Sequence, residues 1–131
     1  MENTDKSRKI KNFTDLHAWK EAHALVLLIY STTEKLPEKE QFGLTSQLRR
    51  AAISITSNIA EGFSRQSWKE KIKFYSISLG SLSEAESQLI IARDLKYISA
   101  EQCNAHLEKI TVISKLLNGL IKSSRAMILD S

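Results

Sequence analysis

The segment Leu44-Thr45-Ser46-Gln47-Leu48-Arg49-Arg50-Ala51-Ala52-Ile53-Ser54-Ile55-Thr56-Ser57-Asn58-Ile59-Ala60-Glu61-Gly62 decides the fold. At its centre, Ile53-Ser54-Ile55-Thr56 alternates apolar and polar residues as a half-buried strand would. Leu44, Leu48, Ala51, Ile55 and Ile59 instead keep a helical period across the whole segment, which outweighs alternation over four residues. The spacing predicts a helix from about Leu44 to Glu61, with Gly62 as a left-handed cap.

The flanking sequence reads the same way. Upstream, Leu16, Trp19, His23, Val26, Tyr30 and Thr33 recur at three- and four-residue steps, giving a first helix from about Asp15 to Leu36 that Pro37 ends. Downstream, Ser67-Trp68-Lys69-Glu70 is a capping box that opens a third helix, expected to reach about Tyr97. Ser99-Ala100-Glu101-Gln102 opens a fourth, with Cys103, Leu107, Ile110, Ser114, Leu117 and Ile121 on one stripe to about Met127. One proline and four glycines leave little of the turn chemistry that an all-β chain requires. Short links make antiparallel neighbours, so the expected fold is all-α, an up-down-up-down four-helix bundle over residues 13–131. Residues 1–12 are expected to form a flexible basic arm, in which Lys6, Arg8, Lys9 and Lys11 outnumber Glu2 and Asp5.

Composition narrows the function classes. The 131 residues are one domain by size and carry a net charge of +4, compatible with nucleic acid but modest. The lone cysteine, Cys103, rules out an intrachain disulfide and suits a reducing compartment, where it reads as a small core residue. The polar N-terminus lacks the apolar core of a signal peptide, and the greasiest run, Ala24 to Tyr30, is far shorter than the roughly 20 residues that span a bilayer. A cytoplasmic protein without a membrane anchor is expected.

On the decisive helix, Gln47, Arg50, Ser54, Asn58 and Glu61 lie within about 80° of arc at about 100° per residue. Serine, asparagine and glutamine are mediocre helix formers, and a solvated face more usually carries lysine, glutamate and alanine. The stripe therefore reads as a buried or interfacial hydrogen-bond network, with a solvated face as the alternative. The third helix offers Glu84, Glu86 and Gln88, so a buried pair of Arg50 with Glu84 or Glu86 is expected to set register. Gly80-Ser81 in mid-helix calls for a compensating close approach of another helix, against Ala51, Ala52 and Ser54.

The third helix is also apolar on two sides. Trp68, Ile72, Tyr75, Leu79, Leu82 and Leu89 form one stripe, and Phe74, Ile77, Ala85, Ala92 and Leu95 lie nearly opposite. One core needs only one stripe, and Ile53 likewise points away from the main stripe of its helix, so self-association is expected.

Catalytic and metal readings find little footing. None of His17, His23 and His106 follows a glutamate at the spacing a di-iron bundle uses, and no phosphate loop, nucleophile elbow or cofactor motif is present. For nucleic acid, Arg65, Lys69, Lys71 and Lys73 gather beside Trp68, Phe74 and Tyr75, a basic patch with stacking rings or else a solvated helix start.

The blocks Leu44 to Ser54 and Asn58 to Gly62, with Gly80-Ser81-Leu82-Ser83-Glu84-Ala85-Glu86, resemble the 23S rRNA intervening-sequence protein family, also known as four helix bundle proteins. Phe13, Leu16 and Trp19, Leu36-Pro37, and Leu95 to Ile98 extend the resemblance over roughly residues 13 to 125. Two positions depart from it: Leu79 where a basic residue is common, and Lys96 where glycine is usual. The resemblance implies a cytoplasmic bacterial bundle assembling as a ring, typically a homopentamer. Some members are encoded within inserts of the large ribosomal RNA gene, and distant relatives are accessory subunits of reverse transcriptases. The expected function is a non-enzymatic, ring-forming protein that binds RNA, DNA or a nucleoprotein partner through Arg49, Arg65, Lys69 and Lys73. The alternative is a protein-interaction scaffold without nucleic-acid contact.

Overall fold

The computed structural model describes residues 10–130, so most of the expected basic arm lies outside the described residues. Helices α1 (His17–Thr33), α2 (Leu44–Ser64), α3 (Trp68–Asp94) and α4 (Ala100–Asp130) follow one another, with short 3₁₀ turns at Phe13–Asp15 and Glu38–Glu40. No strand occurs among the described residues. The chain is the all-α four-helix bundle that the sequence predicts.

Local chemistry sets the helix ends. Ser67 Oγ accepts from the Glu70 amide at 3.0 Å and opens α3. At α4 the box is reciprocal: Ser99 Oγ accepts from the Gln102 amide at 3.0 Å while Gln102 Oε1 accepts from the Ser99 amide at 2.9 Å. The start of α1 differs from expectation, because Asp15 belongs to a separate turn and accepts from the amides of Lys11 and Asn12 at 3.1 Å. At the far end α3 stops at Asp94, short of Tyr97, in a Schellman closure: the Tyr97 amide donates to Ala92 O at 2.9 Å and the Lys96 amide to Arg93 O at 3.0 Å. Lys96 sits at φ 67°. Lys96, one of the two departures from the resemblance noted above, is thus the one left-handed residue of that closure.

The core consists of one stripe from each helix. Leu48, Ala51, Ala52, Ile55 and Ile59 of α2 are buried against Tyr75, Leu82, Ala85, Leu89 and Ala92 of α3. Ile110, Ile113, Leu117 and Ile121 of α4 complete the interior together with the buried, uncharged Cys103. On α1 the buried positions are Ala18, Ala22, Leu25, Ile29, Thr32 and Thr33, so the expected stripe holds only at Thr33 and is otherwise rotated: Leu16, Trp19, Val26 and Tyr30 flank the core and His23 is exposed. Alanines let α1 approach closely, and the larger rings then fit only at its edge. Ala85 and Ala92, expected on the outer side of α3, are core residues, while Trp68 at the start of the expected inner stripe is exposed.

Polar contacts bind α1 to its neighbours. Thr32 Oγ1 and His106 Nε2 meet at 2.9 Å in the interior, and His106 Nδ1 lies 2.5 Å from Gln102 O. A carbonyl only accepts, so Nδ1 carries the hydrogen and, in the neutral ring, Nε2 accepts from the Thr32 hydroxyl. Glu21 and Thr32, about three turns apart on α1, reach Lys109 and His106, which share one turn of α4. Two points on α1 are thus tied to the first third of α4.

At the end of the bundle carrying the α1–α2 link, the Tyr97 hydroxyl donates to Glu40 Oε2 at 2.9 Å and the Leu44 amide donates to Glu40 Oε1 at 3.0 Å. Glu40 thus caps α2 and ties its entry loop to the loop after α3. The Leu44 amide first, and then the Tyr97 hydroxyl, hold the Glu40 carboxyl below the usual glutamate range. The same hydrogen bond raises Tyr97 above the usual phenol range.

Two glycines reverse their expected roles. Gly62 is a buried residue inside α2, not its cap: a Cβ there would sit 2.7 Å from Tyr75 Cε1. Gly80 has nothing within 4 Å of where its Cβ would be, and its neighbour Ser81 makes the helix contact instead. We expect Gly62→Ala to lower unfolding stability by about 1–3 kcal/mol through overpacking and Gly80→Ala to raise it by about 1 kcal/mol through helix propensity. Denaturant titration of the two variants checks both signs. A second expectation concerns pH. A carboxylate with a depressed native pKa contributes stability above its unfolded pKa and loses it as pH falls through the native value. Wild-type protein should therefore lose more stability than Glu40→Gln on acidification through and below the usual glutamate range, and parallel melting curves for the two would contradict this.

Candidate nucleic-acid interface

The predicted cations occupy different environments. Arg49 reaches across to α1, where Nε donates to Thr33 Oγ1 at 2.8 Å, Nη2 donates to Tyr30 O at 3.4 Å, and the guanidinium lies 4.4 Å from the Tyr30 ring centroid. It is a clamp between α1 and α2. Arg65 pairs with Glu61 one turn before it, lies 3.9 Å from Glu70, and covers the Phe74 ring at 4.8 Å. Lys71 donates to Phe63 O at 2.7 Å, against a carbonyl of the last turn of α2, and stands 5.4 Å from both the Phe63 and Trp68 rings. Burial pushes its ammonium below the usual lysine range.

That leaves Lys69 and Lys73 facing solvent at the α2–α3 corner, one helical turn apart, with Lys73 Nζ 5.9 Å from the Phe74 ring. Trp68 beside them is exposed. The structure brings Lys69, Lys73 and Arg65 to one corner and places Arg49 elsewhere, at the α1–α2 contact.

The polar stripe of α2 divides in two. Ser54 Oγ and Ser81 Oγ lie 2.7 Å apart across the α2–α3 seam, and Asn58 Nδ2 donates to Ser54 O at 2.8 Å and to Ser54 Oγ at 3.1 Å. Gln47, Arg50, Glu84 and Glu86 are exposed. Gln47, Arg50, Ala51, Ser54 and Glu84 line a shallow groove of about 210 Å³. The expected buried pair of Arg50 with Glu84 or Glu86 is not formed: these side chains stand at the rim of the seam, where water solvates them without the desolvation cost a buried pair would carry. Glu61 finds its partner in Arg65 on its own helix.

Cys103 is fully buried with Sγ 3.7 Å from Leu89 O, and burial raises its thiol above the usual range, away from thiolate reactivity. His106 and Thr32 are both buried, and the two ring nitrogens of His106 are engaged by Thr32 and Gln102. Among the described residues no group of three or more His, Cys, Asp and Glu could hold a metal ion. No described helix is long and apolar enough to cross a membrane.

Residues 14–119 match the model of the 23S rRNA-intervening sequence protein family. The chain belongs to that family. A solved relative, a protein of unknown function from the S23 ribosomal protein family of Bacteroides thetaiotaomicron VPI-5482, superimposes with a TM-score of 0.75 at 28% identity, covering 80% of this chain and 98% of that one. No curated protein matches the chain. The family assignment accords with the α2 block and the Gly80–Glu86 block, whose small residues make the seam described above.

One surface feature escaped the sequence reading. Phe42, in the loop before α2, is 89% exposed. Its signal was a large apolar residue between Gln41 and Gly43, outside any periodic run. The environment of Arg49 yields a prediction: Arg49→Ala should destabilise the bundle by about 1–3 kcal/mol, the range for a hydrogen-bonded charged group, whereas Lys69→Ala should leave melting nearly unchanged. Thermal and denaturant unfolding of both variants separates a clamp from a surface cation.

Proposed function

We propose that this family member is a non-enzymatic bundle that assembles with copies of itself into a ring, as a homopentamer, and binds RNA, DNA or a nucleoprotein partner. The observation that carries the reading is the α2–α3 corner, where Lys69 and Lys73 face solvent beside the exposed ring of Trp68. Free ammonium groups neutralise phosphates and release counterions, and an exposed ring offers a stacking surface. Apolar side chains on the outer side of α3, Ile77 at 42% exposure and Ile91 at 46%, support self-assembly, since burial against another copy removes them from water.

Fluorescence anisotropy with labelled structured RNA and DNA at low and moderate salt tests nucleic-acid binding, with light scattering on the same sample reporting assembly mass. Binding should fall steeply with salt, and the Lys69→Ala, Lys73→Ala double variant should reduce the logarithmic salt slope by about 2, one per lost phosphate contact. Absence of binding at low salt would overturn the reading.

A second reading, a protein-interaction scaffold, is favoured by the internal engagement of Arg49 and Arg65, which leaves fewer cations for phosphate than the sequence offers. On that reading affinity purification recovers a protein partner that survives nuclease treatment.

A further inference from the structure

The α1–α2 face carries a cleft distinct from the corner above. Tyr30, Gln41, Phe42, Thr45, Ser46, Arg49, Arg50 and Ile53 line it, enclosing about 380 Å³. We propose that this cleft binds single-stranded nucleic acid, with Phe42 stacking on a base and Arg50 pairing with an adjacent phosphate.

Charge makes the first argument. Two guanidinium groups line the cleft and no carboxylate does; Glu34 and Glu38 line the adjoining groove instead. Arg50 forms no hydrogen bond or ion pair with any described residue and is exposed, so although it also lines the groove that holds Glu84, its donors are not taken by that carboxylate. A guanidinium matches phosphate in a bidentate fork.

Aromatic geometry makes the second. A phenylalanine left 89% exposed in a loop gains nothing from the core and presents a π-face to solvent. Arg49 is held over the Tyr30 ring, 4.4 Å from its centroid, by its bonds to Thr33 and Tyr30, giving the cleft a guanidinium wall fixed in place. Unstacked bases seat on aromatic rings and on guanidinium planes alike, while the bases of a duplex are already stacked on each other. Ser46 and Gln41 add a hydroxyl and an amide to the lining. Single strands are therefore the ligand class that uses every group present.

The inference rests on the nucleic-acid reading above but moves base recognition to a different face, so the two fail separately. The probe is a labelled uridine oligonucleotide, with an RNA hairpin duplex of equal charge as comparison, titrated by anisotropy against the full chain at fixed low salt. Phe42→Ala and Arg50→Ala should each weaken single-strand binding about tenfold, within the range for one stacked base or one charged contact. They should act much less on the duplex, and Phe42→Trp should retain affinity and show quenched fluorescence on binding. Unchanged single-strand affinity in both alanine variants overturns the cleft. Loss confined to the Lys69→Ala, Lys73→Ala variant overturns it while leaving the corner standing. Lack of any wild-type binding overturns both. A Phe42→Ala variant with altered assembly mass and unaltered affinity overturns the ligand and assigns the cleft to a subunit contact. Both side chains are exposed, so melting curves of the variants should match wild type.

Discussion

The seam between α2 and α3 is the constraint on which the other contacts depend. It is built from small residues: Gly62 admits the Tyr75 ring at a distance no side chain would allow, and Ser78 Oγ donates to Ile55 O at 2.7 Å from a fully buried position. The Ser54 and Ser81 hydroxyls meet across the same seam. A hydroxyl that must find its partner inside tolerates one register, because sliding either helix would leave a buried donor unpaired at about 1–3 kcal/mol. Close packing supplies the attraction, and the serines select one alignment.

With α2 and α3 fixed, α1 is fastened by specific polar links. Arg49 engages Thr33 and the Tyr30 ring on one side, and His106 engages Thr32 on the other. Helix α1 packs less extensively against α4 than α2 does against α3, so side-chain clamps carry more of the attachment. The link between Glu40 and Tyr97 serves the same purpose at one end of the bundle, joining two loops that also send Leu36 and Ile98 into the core.

The fate of the cations shapes the functional reading. Arg49, Arg65 and Lys71 each lie over an aromatic ring and each has an oxygen partner, which makes them elements of the fold. Lys69 and Arg50 have no such commitments among the described residues, and Lys73 lies near the Phe74 ring without an oxygen partner. These three exposed cations place positive charge at the α2–α3 corner and in the cleft beside Phe42.

The sequence by itself determined the helical class, the four segments, the caps at Ser67 and Ser99 and the core stripe of α2, because each follows from local hydrogen bonding or from a period of apolar residues within one segment. It also marked the two small-residue blocks that accord with the family match. What it misjudged depends on neighbours far along the chain. The rotation of α1 follows from which face meets α2 and α4, and the burial of Ala85 and Ala92 from how close α2 lies. The opposite roles of Gly62 and Gly80 come down to whether a ring from another helix occupies the space beside them. Only the tertiary structure decided which cations are clamps and which face solvent, since a side chain's charge is written in the sequence and its partner is not.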